Sequence, residues 1–129
     1  MIYLLTLTKE DSEKEMLSKA YKNIAAKISD DYWDMKFVRS IAEGREFLAN
    51  EPLLDFLCVD VTLPGSVEFL SVIRKKYEKA GLLLMVDISI PPTAYLKPGI
   101  RPDAIIVKPL KEDNTDETLE EFFGTYFSE

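Results

Sequence analysis

Three residues that can do chemistry stand at the ends of apolar runs. Asp60 follows Phe56-Leu57-Cys58-Val59, Asp87 follows Leu82 to Val86, and Lys108, itself followed by Pro109, ends the run from Ala104 to Val107. A carboxylate ending one buried strand and a lysine ending another can meet as an ion pair over a sheet. In an open parallel sheet, ligands and chemistry collect at the carboxyl ends of the strands, beside the point where strand order reverses. Each residue also has a plainer use. Asp60 can cap the helix that follows it, Lys108 can neutralise the two aspartates, and Asp87 can serve the turn before Pro91. Cys58 reads as a small buried hydrophobe rather than a reactive thiol.

Much chemistry is excluded by what the chain lacks. It has no histidine and one cysteine, which removes Ser-His and Cys-His nucleophile pairs, histidine-containing zinc sites and cysteine-rich zinc sites. Its five glycines are scattered, and none builds a GxGxxG or Walker phosphate loop. A net charge of -7 opposes direct binding to a nucleic-acid backbone. The one basic cluster, Arg74-Lys75-Lys76 with Lys79, falls late in an expected helix, where cations suit the negative end. No apolar run approaches the roughly 20 residues of a membrane span, and no secretory signature follows Met1. A lone cysteine suits a reducing compartment, so the expected location is the cytoplasm, without a membrane partner.

The elements that must position these residues follow from hydrophobic period. At 129 residues the chain is expected to form one domain over 1–129. Short apolar runs alternate with helix-period stretches, the pattern of βα units around a parallel sheet. Strands are expected at Ile2 to Leu7, Met35 to Val38, Leu53 to Val61, Leu82 to Val86 and Ala104 to Val107, the second of them at a sheet edge. The first helix carries Met16, Leu17, Ala20, Tyr21, Ile24 and Ile28 inward, with Thr8 or Ser12 as its cap and Ser12 paired with Glu15 in a capping box. Ser40 and Glu43 form a second capping box, opening a short helix that stops before Pro52. Thr62 to Gly65 make a turn, Ser66 opens a third helix with Phe69, Leu70, Ile73 and Tyr77 inward, and Gly81 ends it in a left-handed conformation. Pro91, Pro92, Pro98 and Pro102 leave room for one short or broken helix near Thr93 to Leu96. The last helix runs from about Thr115 and buries Leu119, Phe122, Phe123 and Phe127.

Two segments carry a resemblance. Val59-Asp60-Val61-Thr62-Leu63-Pro64-Gly65 resembles the phosphoacceptor segment of response-regulator receiver domains, and Ile105-Ile106-Val107-Lys108-Pro109-Leu110 resembles their Lys-Pro segment. By element order the likeness covers nearly the whole chain, but only these two motifs are specific. It implies a flavodoxin-like, three-layer (βα)5 α/β receiver fold with strand order 2-1-3-4-5. It also implies that Asp60 is the phosphoacceptor candidate and a ligand of Mg²⁺. Lys108 would contact the phosphoryl oxygens, across a Lys108-Pro109 bond that is cis, and Asp87 would stand at the switch position, with Ser89 as its stand-in. Such chemistry needs a metal and a cation because the transferred group's charge must be spread.

The chain departs from that pattern at two places. Strand one ends in Thr6-Leu7-Thr8 where the family has metal-binding acids; Glu10 and Asp11 come later and can serve only by reaching back. Asp87 donates no hydrogen bond when ionised. Three functions are therefore weighed. One is a phospho-accepting receiver, served by a histidine kinase and an output domain. The second is an atypical receiver acting through protein contacts, including a homodimer, with weak or no phosphoryl transfer. The third, ranked last, is a small flavodoxin-like enzyme or nucleotide binder. Signalling rather than enzymatic catalysis is expected, with Tyr95, Leu96, Phe123 and Tyr126 on the partner face.

Overall fold

The computed structural model describes residues 1–127, the side chains of Tyr126 and Phe127 lying outside the described ones. Five strands, β1 (Ile2–Leu7), β2 (Trp33–Val38), β3 (Phe56–Asp60), β4 (Gly81–Asp87) and β5 (Ala104–Lys108), alternate with four helices, α1 (Asp11–Ile28), α2 (Ile41–Leu48), α3 (Ser66–Lys76) and α4 (Glu112–Phe127). All strand pairs are parallel, in the order β2-β1-β3-β4-β5. The flavodoxin-like α/β fold expected from the sequence is the observed one.

Strand β3 is buried along its whole length, as a central strand covered on both faces must be. Edge strand β2 alternates buried and exposed positions. Alternate residues feed two cores. One, under α2 and α3, holds Leu5, Leu57, Val59, Leu84 and Phe69. The other, under α1 and α4, holds Leu4, Cys58, Met85, Ile106 and Phe123. Trp33 stacks on Phe56 there, at 5.7 Å between centroids and 3° between planes.

Several local expectations need correction. Strand β3 is shorter than Leu53 to Val61, with Leu53 exposed. Strand β2 starts two residues before Met35 and α4 three residues before Thr115. No side chain caps α1, because Ser12 is already inside the helix and the Thr8 hydroxyl donates to a carboxylate instead. The second capping box forms by half: Glu43 N donates to Ser40 Oγ, while the Glu43 carboxylate accepts from Arg39 N rather than from Ser40 N. Gly81 does not end α3 but opens β4, where a Cβ would stand 2.8 Å from Phe56 Cδ1. The work expected of Gly81 falls to Arg74, buried at 8% exposure. Its guanidinium donates to the carbonyls of Tyr77, Ala80 and Arg101 and pairs with Asp103, tying the end of α3 to the starts of β4 and β5.

Between β4 and β5 the prolines allow one 3₁₀ turn, Pro92–Ala94. Tyr95 and Phe123, expected on a partner face, are core residues at 5% and 0% exposure. The apolar side chains presented there are Ile88, Leu96, Ile105 and Val107.

Candidate functional site

Period-two geometry puts the site on one face of the sheet. Asp60 pairs in register with Met85, and Asp87, two residues further along β4, pairs with Lys108. All therefore project toward the α1 and α4 side, beyond the layer of Cys58, Met85 and Ile106.

Asp60 is 1% exposed and its two oxygens are both engaged. Oδ1 accepts from Thr62 N at 2.9 Å and from Thr62 Oγ1 at 2.6 Å, closing the turn that leads to α3. Oδ2 accepts from Lys108 Nζ at 2.7 Å. Asp60 does not cap α3, whose N-terminal neighbour is Gly65 at φ 81, a conformation that favours glycine. The Lys108-Pro109 bond is cis.

A second carboxylate completes the site. Glu13, in the first turn of α1, reaches Lys108 Nζ with Oε2 at 3.0 Å and accepts from Thr8 Oγ1 on Oε1 at 2.8 Å. The three charged side chains are 2% (Asp60), 10% (Glu13) and 15% (Lys108) exposed. Burial lowers the affinity of Lys108 for its proton, but the hydrogen bonds and charges of Asp60 and Glu13 more than offset this, and its pKa lies above the ordinary lysine value. Beneath the triad, Tyr21 Oη and Thr6 Oγ1 share a hydrogen bond of 2.9 Å. Burial there pushes the Cys58 thiol up to about 12.

The acids considered near β1 stand apart from the triad. Asp11 turns outward to Arg39 at 2.9 Å, and Glu10 only precedes the helix. Asp87 shares the face but not the ion pair. It accepts from Ser89 N at 2.9 Å and Ser89 Oγ at 2.7 Å, and these bonds, with some attraction from Lys108, hold its carboxyl below the usual range. Ser89 is thus committed to Asp87. Sequence reasoning missed Glu13 because it looked at strand ends. The available signal was helical: Glu13 lies on the stripe of Leu17, Ala20, Tyr21 and Ile24, and a charge on a buried stripe needs a partner.

A Mg²⁺ ion, implied by the resemblance, needs free oxygen ligands. Among the described residues no group of three or more His, Cys, Asp or Glu is gathered to hold a metal. Three of the four oxygens of Asp60 and Glu13 already accept hydrogen bonds, the fourth is ion-paired with Lys108, and that ammonium stands where the two carboxylates meet. The residues present do not fit the ion.

Five parallel strands in the order 2-1-3-4-5, alternating with helices, make the receiver fold. Solved receiver structures match this chain over almost their whole length. The chemotaxis response regulator CheY4 of Vibrio cholerae superimposes with a TM-score of 0.71 at 18% identity, over 95% of this chain and 98% of that one. A receiver domain of a two-component histidine kinase from Clostridium thermocellum gives 0.75 at 14%, over 93% and 95%. The receiver domain of an HD domain-containing protein from Pseudomonas fluorescens gives 0.74 at 14%, over 99% and 98%. No family model matches the sequence, and no curated protein does. At these identities the likeness defines the fold and leaves the chemistry to the residues.

Proposed function

We propose that this chain, one receiver-like domain over 1–129, is a cytoplasmic signalling module that acts through protein–protein contacts, with weak or no phosphoryl transfer at Asp60. The observation that carries the reading is the Lys108 ammonium, shared between Asp60 and Glu13 at 2.7 and 3.0 Å. The cation expected to receive phosphoryl oxygens is thereby already engaged by two carboxylates. The end of β1 supplies no acid, since Thr8 donates to Glu13 and Asp11 faces Arg39. A phosphoryl group on Asp60 brings ~2 negative charges into a site that already carries a net negative charge.

The partner is a histidine kinase, an output domain or a second copy of this chain, meeting the apolar side chains Leu96, Ile105 and Val107. No helix of the described residues is long and apolar enough to cross a membrane. The test is incubation with acetyl phosphate, with and without Mg²⁺, followed by intact mass measurement. At most a minor adduct is expected, and none in Asp60→Asn. A near-complete adduct that disappears in Asp60→Asn overturns the reading in favour of a phospho-accepting receiver, which the direct Asp60–Lys108 bond favours.

A further inference from the structure

We infer that Glu13 is a tethered anion seated on Lys108, and that the Asp60 site accepts an oxyanion of the phosphate class only when that carboxylate is neutralised or withdrawn. The inference rests on the reading of Asp60 as a weak acceptor and names the cause of the weakness.

An ammonium has three donors in all. Two of them are taken up by Asp60 Oδ2 at 2.7 Å and Glu13 Oε2 at 3.0 Å. Glu13 is held from the other side as well, by the Thr8 hydroxyl at 2.8 Å. Thr8 follows β1 directly and is 3% exposed, so the tether is anchored in the core. The carboxylate is therefore fixed at both oxygens, between a strand end and a cation, with little room to rotate away. Its helix does not require it there: the other acid of the first turn, Asp11, faces outward. A carboxylate on a buried helical stripe is costly without a partner, and the partner it has found is the group an incoming phosphate needs. Glu13 and a phosphate oxygen are thus competitors for one ammonium, and Glu13, being part of the chain, is always present.

The test uses the full chain. Glu13→Gln keeps the shape and a carbonyl acceptor for Thr8 while removing the charge. With acetyl phosphate, one Asp60 carboxylate oxygen attacks phosphorus, the bond from phosphorus to the acetate oxygen breaks, acetate leaves, and no proton changes hands. Adduct formation followed by intact mass is expected to rise at least tenfold (about 1.4 kcal/mol) in Glu13→Gln and to vanish in the Glu13→Gln, Asp60→Asn double variant. Inorganic phosphate supplies a readout free of chemistry: its binding, followed by the amide resonances of Thr62 and Lys108, should tighten at least tenfold in Glu13→Gln. Should that variant not fold, Thr8→Val loosens the same tether and is expected to shift both readouts in the same direction, by less. A slow adduct and unchanged phosphate binding in the variant overturn this inference while leaving the weak-acceptor reading intact. A fast adduct in the unsubstituted chain overturns that reading, and this inference with it.

Discussion

At the scale of single residues, two carboxylates share one ammonium, and the imbalance sets what substitution does. Removing one member of a buried ion cluster leaves uncompensated charge, which costs about 3–5 kcal/mol for a fully buried pair. Lys108 is 15% exposed, so Lys108→Met is expected near the lower end, about 3 kcal/mol, measured by urea denaturation at pH 7. A loss under about 1 kcal/mol would mean that the triad contributes no more than a surface pair. Alkaline pH gives a second reading. The Cys58 thiol keeps its proton in the folded chain to about 12, against an ordinary value of 9.0, so the folded state binds the extra proton. Stability therefore falls as pH rises from 9.0 toward 12. Lys108, with its pKa also raised, contributes stability that is complete below its unfolded value and is lost as pH climbs through the folded one. Cys58→Ala should flatten the decline over that window, and an unchanged slope would remove the thiol from the account.

At the scale of elements, the contrast between Ser40 and Ser12 explains what sequence could and could not tell. Both precede a glutamate by three residues, but only Ser40 sits at the boundary where the N–H groups of a helix are unpaired. Helix α1 begins at Asp11, one residue before Ser12. Capping patterns name a motif and leave its phase open, whereas the apolar runs of β3 and β4 identify themselves because every residue is buried. Ser40→Ala is accordingly expected to cost about 1 kcal/mol, and Ser12→Ala close to nothing, by thermal denaturation. Gly81 shows the opposite limit: its role lies in packing against Phe56 and Phe122, which no local signal predicts. Gly81→Ala should cost about 1–3 kcal/mol by overpacking; a neutral effect would show that the two rings move aside freely. Asp60 and Lys108 were legible because they end strands. Glu13 was not, since its partner lies at the far end of the chain.

At the scale of the whole molecule, the proline-rich passage from β4 to β5 leaves Ile105 at 39% and Val107 at 52% exposure. Edge strands with exposed apolar residues invite pairing with another chain. Val107→Lys should leave stability within about 0.5 kcal/mol and weaken any self-association seen by light scattering at high concentration. Equal association in both chains would place the contact elsewhere.

The triad of Glu13, Asp60 and Lys108 also bears on the order in which the molecule assembles. Its members come from the first, middle and last thirds of the chain, and Lys108 meets Asp60 across 48 residues. Contacts that span so much sequence wait until the intervening strands are laid down, because closing long loops costs entropy before any contact rewards it. The ionic cluster is thus expected to be unformed at the folding barrier and complete only in the native state. By that logic Lys108→Met should raise the unfolding rate and leave the refolding rate nearly unchanged. The charges at the strand ends would then act as a late fastening, setting how long the folded chain persists rather than how quickly it forms.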